Sequence, residues 1–149
     1  MTEEKKKLFL MKFYDTEINI AIFILRCFVG IMMLTHAIDK MENFSTIAES
    51  FPTPFGINSW VGLTFITIAE LGCSIMIIVG IATRLACFIM ILAMSTAAFF
   101  TFPVFVLKQS ELAMMYLAIY IVLFILGGGR YAIDRLIHRI YENSKTVKR

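Results

Sequence analysis

The chain has 149 residues, of which 59% are hydrophobic and only 17% charged, and its mean hydropathy is +0.80. A soluble domain carries about 45–50% apolar and about 25% charged residues, so the composition excludes an ordinary water-soluble enzyme and points to a single lipid-embedded domain over residues 1–149. The net charge of +3 is carried at the flanks of apolar runs, where basic residues act as topological signals, and no nucleic-acid partner is expected.

In chain order, the amino terminus presents Lys5, Lys6, Lys7 and Lys12, then Asp15 and Glu17. The polar residues that follow the basic run, and the lack of an A-x-A-like site, favour a retained first span over a cleaved signal. Crossing about 30 Å of hydrocarbon takes about 20 apolar residues in a helix, and four stretches qualify. Hydropathy places the spans at approximately 18–38, 57–80, 85–107 and 112–126. An outer loop from Asp39 to Gly56 with Pro52 and Pro54 separates the first two, and Trp60 lies where an interface anchor is expected. The second and third spans join through Gly80-Ile81-Ala82-Thr83-Arg84. Gly80 suits a left-handed helix end and Thr83 a cap for the next helix, so a tight antiparallel hairpin is predicted.

The fourth span ends at Gly127-Gly128-Gly129, which permits a sharp bend. Beyond it Ile133, Leu136, Ile137, Ile140 and Tyr141 recur at helical spacing, predicting a short amphipathic interfacial helix over approximately 131–142. His138 reads as interfacial there. The expected fold class is therefore an all-α membrane protein, an antiparallel four-helix transmembrane bundle with a surface helix at its carboxy end. Lys and Arg collect on one side: the four amino-terminal lysines, Arg84, and Arg130, Arg135, Arg139, Lys145, Lys148 and Arg149, against Lys40 and Lys108 on the other. The positive-inside rule then puts both termini in the cytoplasm.

Cys27, Cys73 and Cys87 all fall within apolar runs and form no C-x-x-C, so they read as packing residues, with no metal site implied. Ionisable residues inside a span are expensive and are functional candidates by default. Arg26 and Glu70 are the two that hydropathy places at mid-membrane depth. Counted from the cytoplasmic boundary they lie roughly 12 Å and roughly 15 Å in, at 1.5 Å per residue, which predicts a depth-matched ion pair between adjacent helices. Such a pair has two readings, a device for helix register and a polar binding site. Gly30 and Ser74 flank the pair as small residues that allow close approach. His36, with Asp39, Lys40, Lys108 and Glu111, forms an outer cluster, and Tyr116 and Tyr120 share one face of the fourth span. Arg26, Glu70, His36, Tyr116 and Tyr120 are thus the candidate ligand-binding residues, and Gly80, Thr83, Arg84, Gly127 and Asp134 the candidate structural ones.

The order of these features resembles the DoxX family of small four-span membrane proteins. Leu25-Arg26-Cys27-Phe28-Val29-Gly30, with His36 and Lys40 following, is similar to the family's opening pattern. Glu70-Leu71-Gly72 and the Gly80–Arg84 turn resemble its second-helix glutamate and G-x-x-T-R turn. Glu111, and Gly127 to Asp134, resemble its closing stretch, with Gly128 where a proline is common. The resemblance implies a bacterial inner-membrane protein linked to quinol or thiosulfate–quinone redox chemistry, or to membrane thiol and oxidative-stress complexes. No haem-ligand pair, flavin motif or C-x-x-C accompanies it, so the implied role is an accessory or quinone-interacting component, with a quinone as the candidate cofactor. Membrane lipid and a redox-protein partner or second copy are the candidate partners. A non-catalytic assembly factor or scaffold, and a small-solute transporter subunit, are the rival functions.

Overall fold

The structure is a computed structural model that describes residues 3–52, 56–100 and 107–138, with side chains described from Asp15 onward within them except at positions 107 and 109. Helix α1 spans Glu3–Glu42, α2 Phe44–Ser50, α3 Ser59–Val79, α4 Thr83–Phe99 and α5 Leu107–Leu126; α6 is a single short turn over residues 133–138. Among the described residues there is no strand. The Asp15–Glu42 part of α1 and all of α3 are long and apolar enough to cross a membrane, while α4 and α5 are shorter apolar helices of the same bundle. Together they form an all-α membrane bundle.

Helix α1 packs on α3, α3 on α4, α4 on α5, and α5 closes against α1. Large apolar side chains turn outward on each of the four long helices, among them Phe28, Phe65, Leu92 and Ile125, as a lipid-facing surface requires. The interior is narrow and built of modest side chains: Val29, Met33, Ala37, Leu63, Ile77, Ala86, Met90 and Leu123 are buried. In lipid, association rests on such close packing rather than on a hydrophobic drive between helices. Gly30 shows why the α1–α3 contact is tight. A Cβ there would lie 2.5 Å from Ile78 Cγ1 and 3.2 Å from the Ser74 carbonyl oxygen, so the two backbones approach as the sequence predicted.

Helix ends explain where hydropathy misjudged the spans. Helix α1 runs on from both ends of its apolar stretch, through the polar residues before Ile18 and to Glu42, because nothing between them breaks a helix. The third span was expected to reach Leu107, yet α4 stops at Phe99, with Phe100 as its cap residue. The fourth was expected to begin at Leu112; α5 begins at Leu107 and carries Lys108, Ser110 and Glu111 in its first turns. The hydroxyl of Ser110 donates to the Ala98 carbonyl at 2.9 Å, tying the start of α5 to the end of α4. The outer loop holds a helix of its own, α2, and α3 starts at an Asn58 cap whose side chain accepts from the Trp60 N–H at 3.0 Å.

Gly80 ends α3 in the left-handed conformation at φ 83°, ψ 39°, and its N–H donates to the Met76 carbonyl. The predicted hairpin follows, but Thr83 does not cap α4. Ala82 is the cap residue, itself left-handed at φ 45°, and its N–H donates to Asp134 Oδ2 at 2.6 Å. The carboxylate that stabilises the α4 start therefore comes from the far side of the glycine turn. Gly127 and Gly129 both take positive φ, and the chain bends as expected. Helix α6 exposes Ile133, Leu136 and Ile137; the remainder of the expected surface helix, including Ile140 and Tyr141, lies outside the described residues.

Candidate functional site

The two ends of the bundle carry different polar chemistry. At the basic end, Arg26 is wholly buried and its guanidinium donates to three carbonyls. Nε donates to Ile77 O at 2.9 Å, Nη2 to Ile78 O at 3.0 Å, and Nη1 to Gly128 O. The last carbonyls of a helix lack intrahelical partners and sit at the negative end of its dipole. Arg26 satisfies two of them on α3 and binds the post-α5 turn with the same planar fork. Nearby, Asn19 accepts from the Arg130 N–H at 2.6 Å and the Asp134 N–H donates to Gly80 O at 3.3 Å. Arg26 is thus the centre of a clamp joining α1, α3 and the glycine turn.

Glu70 belongs to the other end. Its carboxylate is 2% exposed and both oxygens accept from Lys40 Nζ, at 2.5 and 2.6 Å. This is the ion pair found among the described residues. The expected Arg26–Glu70 pair is not formed, for a reason of register and direction. With Gly30 against Ser74, residue 34 stands level with Glu70. Arg26 then lies about 12 Å below that level and Lys40 about 9 Å above it. Side chains lean toward the N-terminus of their own helix. In antiparallel helices Lys40 therefore reaches down as Glu70 reaches up, while Arg26 leans away. Arg26 is also shallower than hydropathy implied, because it sits beside Gly80 and Gly128 at the end of the bundle.

The Lys40–Glu70 pair stands between two cavities. The larger, about 520 Å³, is lined by Phe51, Pro52, Ile57, Phe65, Ile66 and Leu92 and by both charged residues. Phe65 and Leu92 are also exposed on the outer surface of the bundle, so the mouth opens sideways to lipid between α3 and α4. The smaller, about 160 Å³, is lined by Met33, His36, Leu112, Ala113 and Tyr116 and shares Lys40, Glu70, Met94 and Ala97 with the first. The His36 ring meets Tyr116 edge-on at 5.8 Å, and Tyr116 stacks on Tyr120 at 6.2 Å.

Of the five candidate ligand residues, Glu70, His36 and Tyr116 come together around one cavity. Tyr120 is buried beneath them, lines neither cavity, and its hydroxyl has no partner among the described residues. Arg26 is at the other end. The residue missed as a site member is Lys40. The signal was present: Met33, His36, Ala37 and Lys40 fall on one helical stripe, and a lysine at a helix end can bury its stem while its ammonium reaches a partner. Cys73 and Cys87 are buried free thiols and Cys27 is partly buried, as packing residues should be. Among the described residues no cluster of His, Cys, Asp or Glu could hold a metal ion.

Four apolar helices with a charged pair between them define a polytopic membrane protein. The DoxX family model matches residues 21–103, which takes in the clamp arginine, the Lys40–Glu70 pair and the α3–α4 hairpin. The chain belongs to the DoxX family. Helix α5 and the glycine turn lie beyond the matched stretch, although they complete both ends of the bundle. No curated protein and no solved structure matches the chain.

Proposed function

We propose that this protein is a quinone-interacting component of a membrane redox complex, with the headgroup held beside Lys40 and Glu70. The observation that carries the reading is the larger cavity, apolar-walled, open to lipid and ended by one cation and one carboxylate. Ligand sites are concave, mostly apolar and few in polar groups, with volumes of about 300–1,000 Å³, and this cavity is of that kind. Lys40 supplies a donor for a quinone carbonyl, and Glu70 an acceptor for a quinol hydroxyl. The second cavity, reached past His36 and Tyr116, gives the same carboxylate a side facing away from the lipid mouth and is large enough for several waters at about 30 Å³ each. The chain's residues bind and orient; a partner would exchange the electrons. The uneven distribution of Lys and Arg supports an orientation with both termini in the cytoplasm, and membership of the DoxX family supports a bacterial inner-membrane location.

The test is titration of a short-chain quinone into the protein in lipid nanodiscs, read as a thermal shift. Saturable stabilisation is expected, weakened by Glu70→Gln and lost in Ala93→Trp, which puts a large side chain into the cavity and leaves Lys40 and Glu70 in the sequence. No saturable shift, or one that persists in Ala93→Trp, rejects the site. A scaffold reading has one observation in its favour, since the Arg26 clamp is occupied entirely with backbone carbonyls. It predicts that complex assembly depends on Arg26 and is indifferent to Ala93→Trp.

A further inference from the structure

A third cavity, about 290 Å³, lies at the basic end between the start of α4 and the glycine turn, lined by Thr83, Arg84, Gly127, Gly128, Asp134 and Arg135. Three features of it converge. The first turn of α4, a helix of 17 residues, faces it, and the leading N–H groups of a helix lack intrahelical acceptors and carry partial positive charge. Thr83 is 3% exposed and its Oγ1 has no hydrogen-bond partner among the described residues, although it lines the cavity. Gly128 lets the turn pack directly against that hydroxyl, because a Cβ there would clash with Thr83 Oγ1 at 2.8 Å and with Ala132 Cβ at 2.7 Å.

The charges fit an anion. Asp134 is committed to the Ala82 N–H at 2.6 Å, while Arg84 and Arg135 leave the lining net cationic. A buried hydroxyl, helix N–H groups and two guanidiniums are the donors that a tetrahedral oxyanion takes. Leu85, Ile125 and Leu126 are exposed beside the opening and offer an apolar surface for acyl chains. Basic pockets at the ends of membrane helices suit lipid phosphates for the same reason.

We propose that this cavity binds a phosphate group, supplied by the headgroup of an anionic phospholipid in the adjoining leaflet. The site is separate from the quinone cavity and stands whether or not that reading holds. Its position ties lipid binding to the clamp: the turn that lines it also presents Gly128 O to Arg26.

The experiment uses the full chain in neutral maltoside micelles, titrated in parallel with dihexanoyl phosphatidylglycerol and with inorganic phosphate and followed by ³¹P line broadening. Saturable binding of the lipid is expected. Thr83→Val, which keeps shape and removes the hydroxyl, and Arg84→Gln should each weaken it about tenfold or more, the usual size of one hydrogen bond to a charged group. Thr83→Ser should retain it, and so should Arg130→Gln, a loss of equal charge outside the cavity. Inorganic phosphate binding as tightly as the lipid, with the same variant pattern, supports the site with free phosphate as the occupant. No saturable binding of either probe, native affinity in Thr83→Val, or an equal loss in Arg130→Gln and Arg84→Gln overturns the proposal.

Discussion

Double-mutant cycles on Glu70 separate the two partners that geometry and hydropathy assign to it. Lys40→Met and Glu70→Gln, singly and together, isolate the coupling of the observed pair; Arg26→Met with Glu70→Gln isolates that of the other. Breaking a fully buried ion pair costs about 3–5 kcal/mol. Here Glu70 is 2% and Lys40 25% exposed, so part of the attraction is screened and a coupling of about 2–4 kcal/mol is expected. For Arg26 the opposite lean of the side chains puts the charges more than about 12 Å apart, where unit charges at an effective dielectric of about 20 interact by less than about 1.4 kcal/mol. The cost of Arg26→Met alone will be large, but it cancels in the cycle. Reversible unfolding in mixed maltoside–dodecyl sulfate micelles provides the assay, followed through Trp60, the single tryptophan, which packs on Phe44 at 5.8 Å. A coupling to Arg26 as large as that to Lys40 would refute the register derived from Gly30 and Ser74.

Other consequences use the same unfolding assay or local exchange. Arg26→Lys keeps the charge, but one ammonium cannot serve three carbonyls on two elements. It should cost about 2–4 kcal/mol through lost charge-assisted bonds, and native stability would show that the fork is dispensable. Gly30→Leu must push α1 from α3, since the added Cβ would meet Ser74 backbone as well as the flexible Ile78. A loss of about 1–3 kcal/mol or more is expected, and an unchanged midpoint would contradict the close approach. Asp134→Ala removes the acceptor of the Ala82 N–H and should destabilise the start of α4 by about 1 kcal/mol, the usual worth of such a cap. Faster hydrogen exchange at Ala82 to Leu85 is the readout, and unchanged exchange would show that Asp134 does not hold this end.

Much of the bundle is legible without coordinates because its causes are local. Four apolar runs, the Gly80 turn and the triple glycine each act through composition or backbone conformation within a few residues, and the resemblance to the DoxX family rests on the same short motifs. Helix ends were less legible, because hydropathy marks where a chain meets lipid and not where a helix stops. Helix α4 ends before its apolar run does, and α5 takes Lys108 and Ser110 into its first turns, for that reason.

The two buried charges show where sequence reasoning stops. That Arg26 and Glu70 need partners follows from the cost of a lone charge in lipid, and the sequence by itself determined that much. Which partners they take depends on the offset between α1 and α3 and on the direction in which side chains leave antiparallel helices. Those are properties of two elements packed together, so only the tertiary structure gave Arg26 to the carbonyls at the basic end and Glu70 to Lys40 between the cavities.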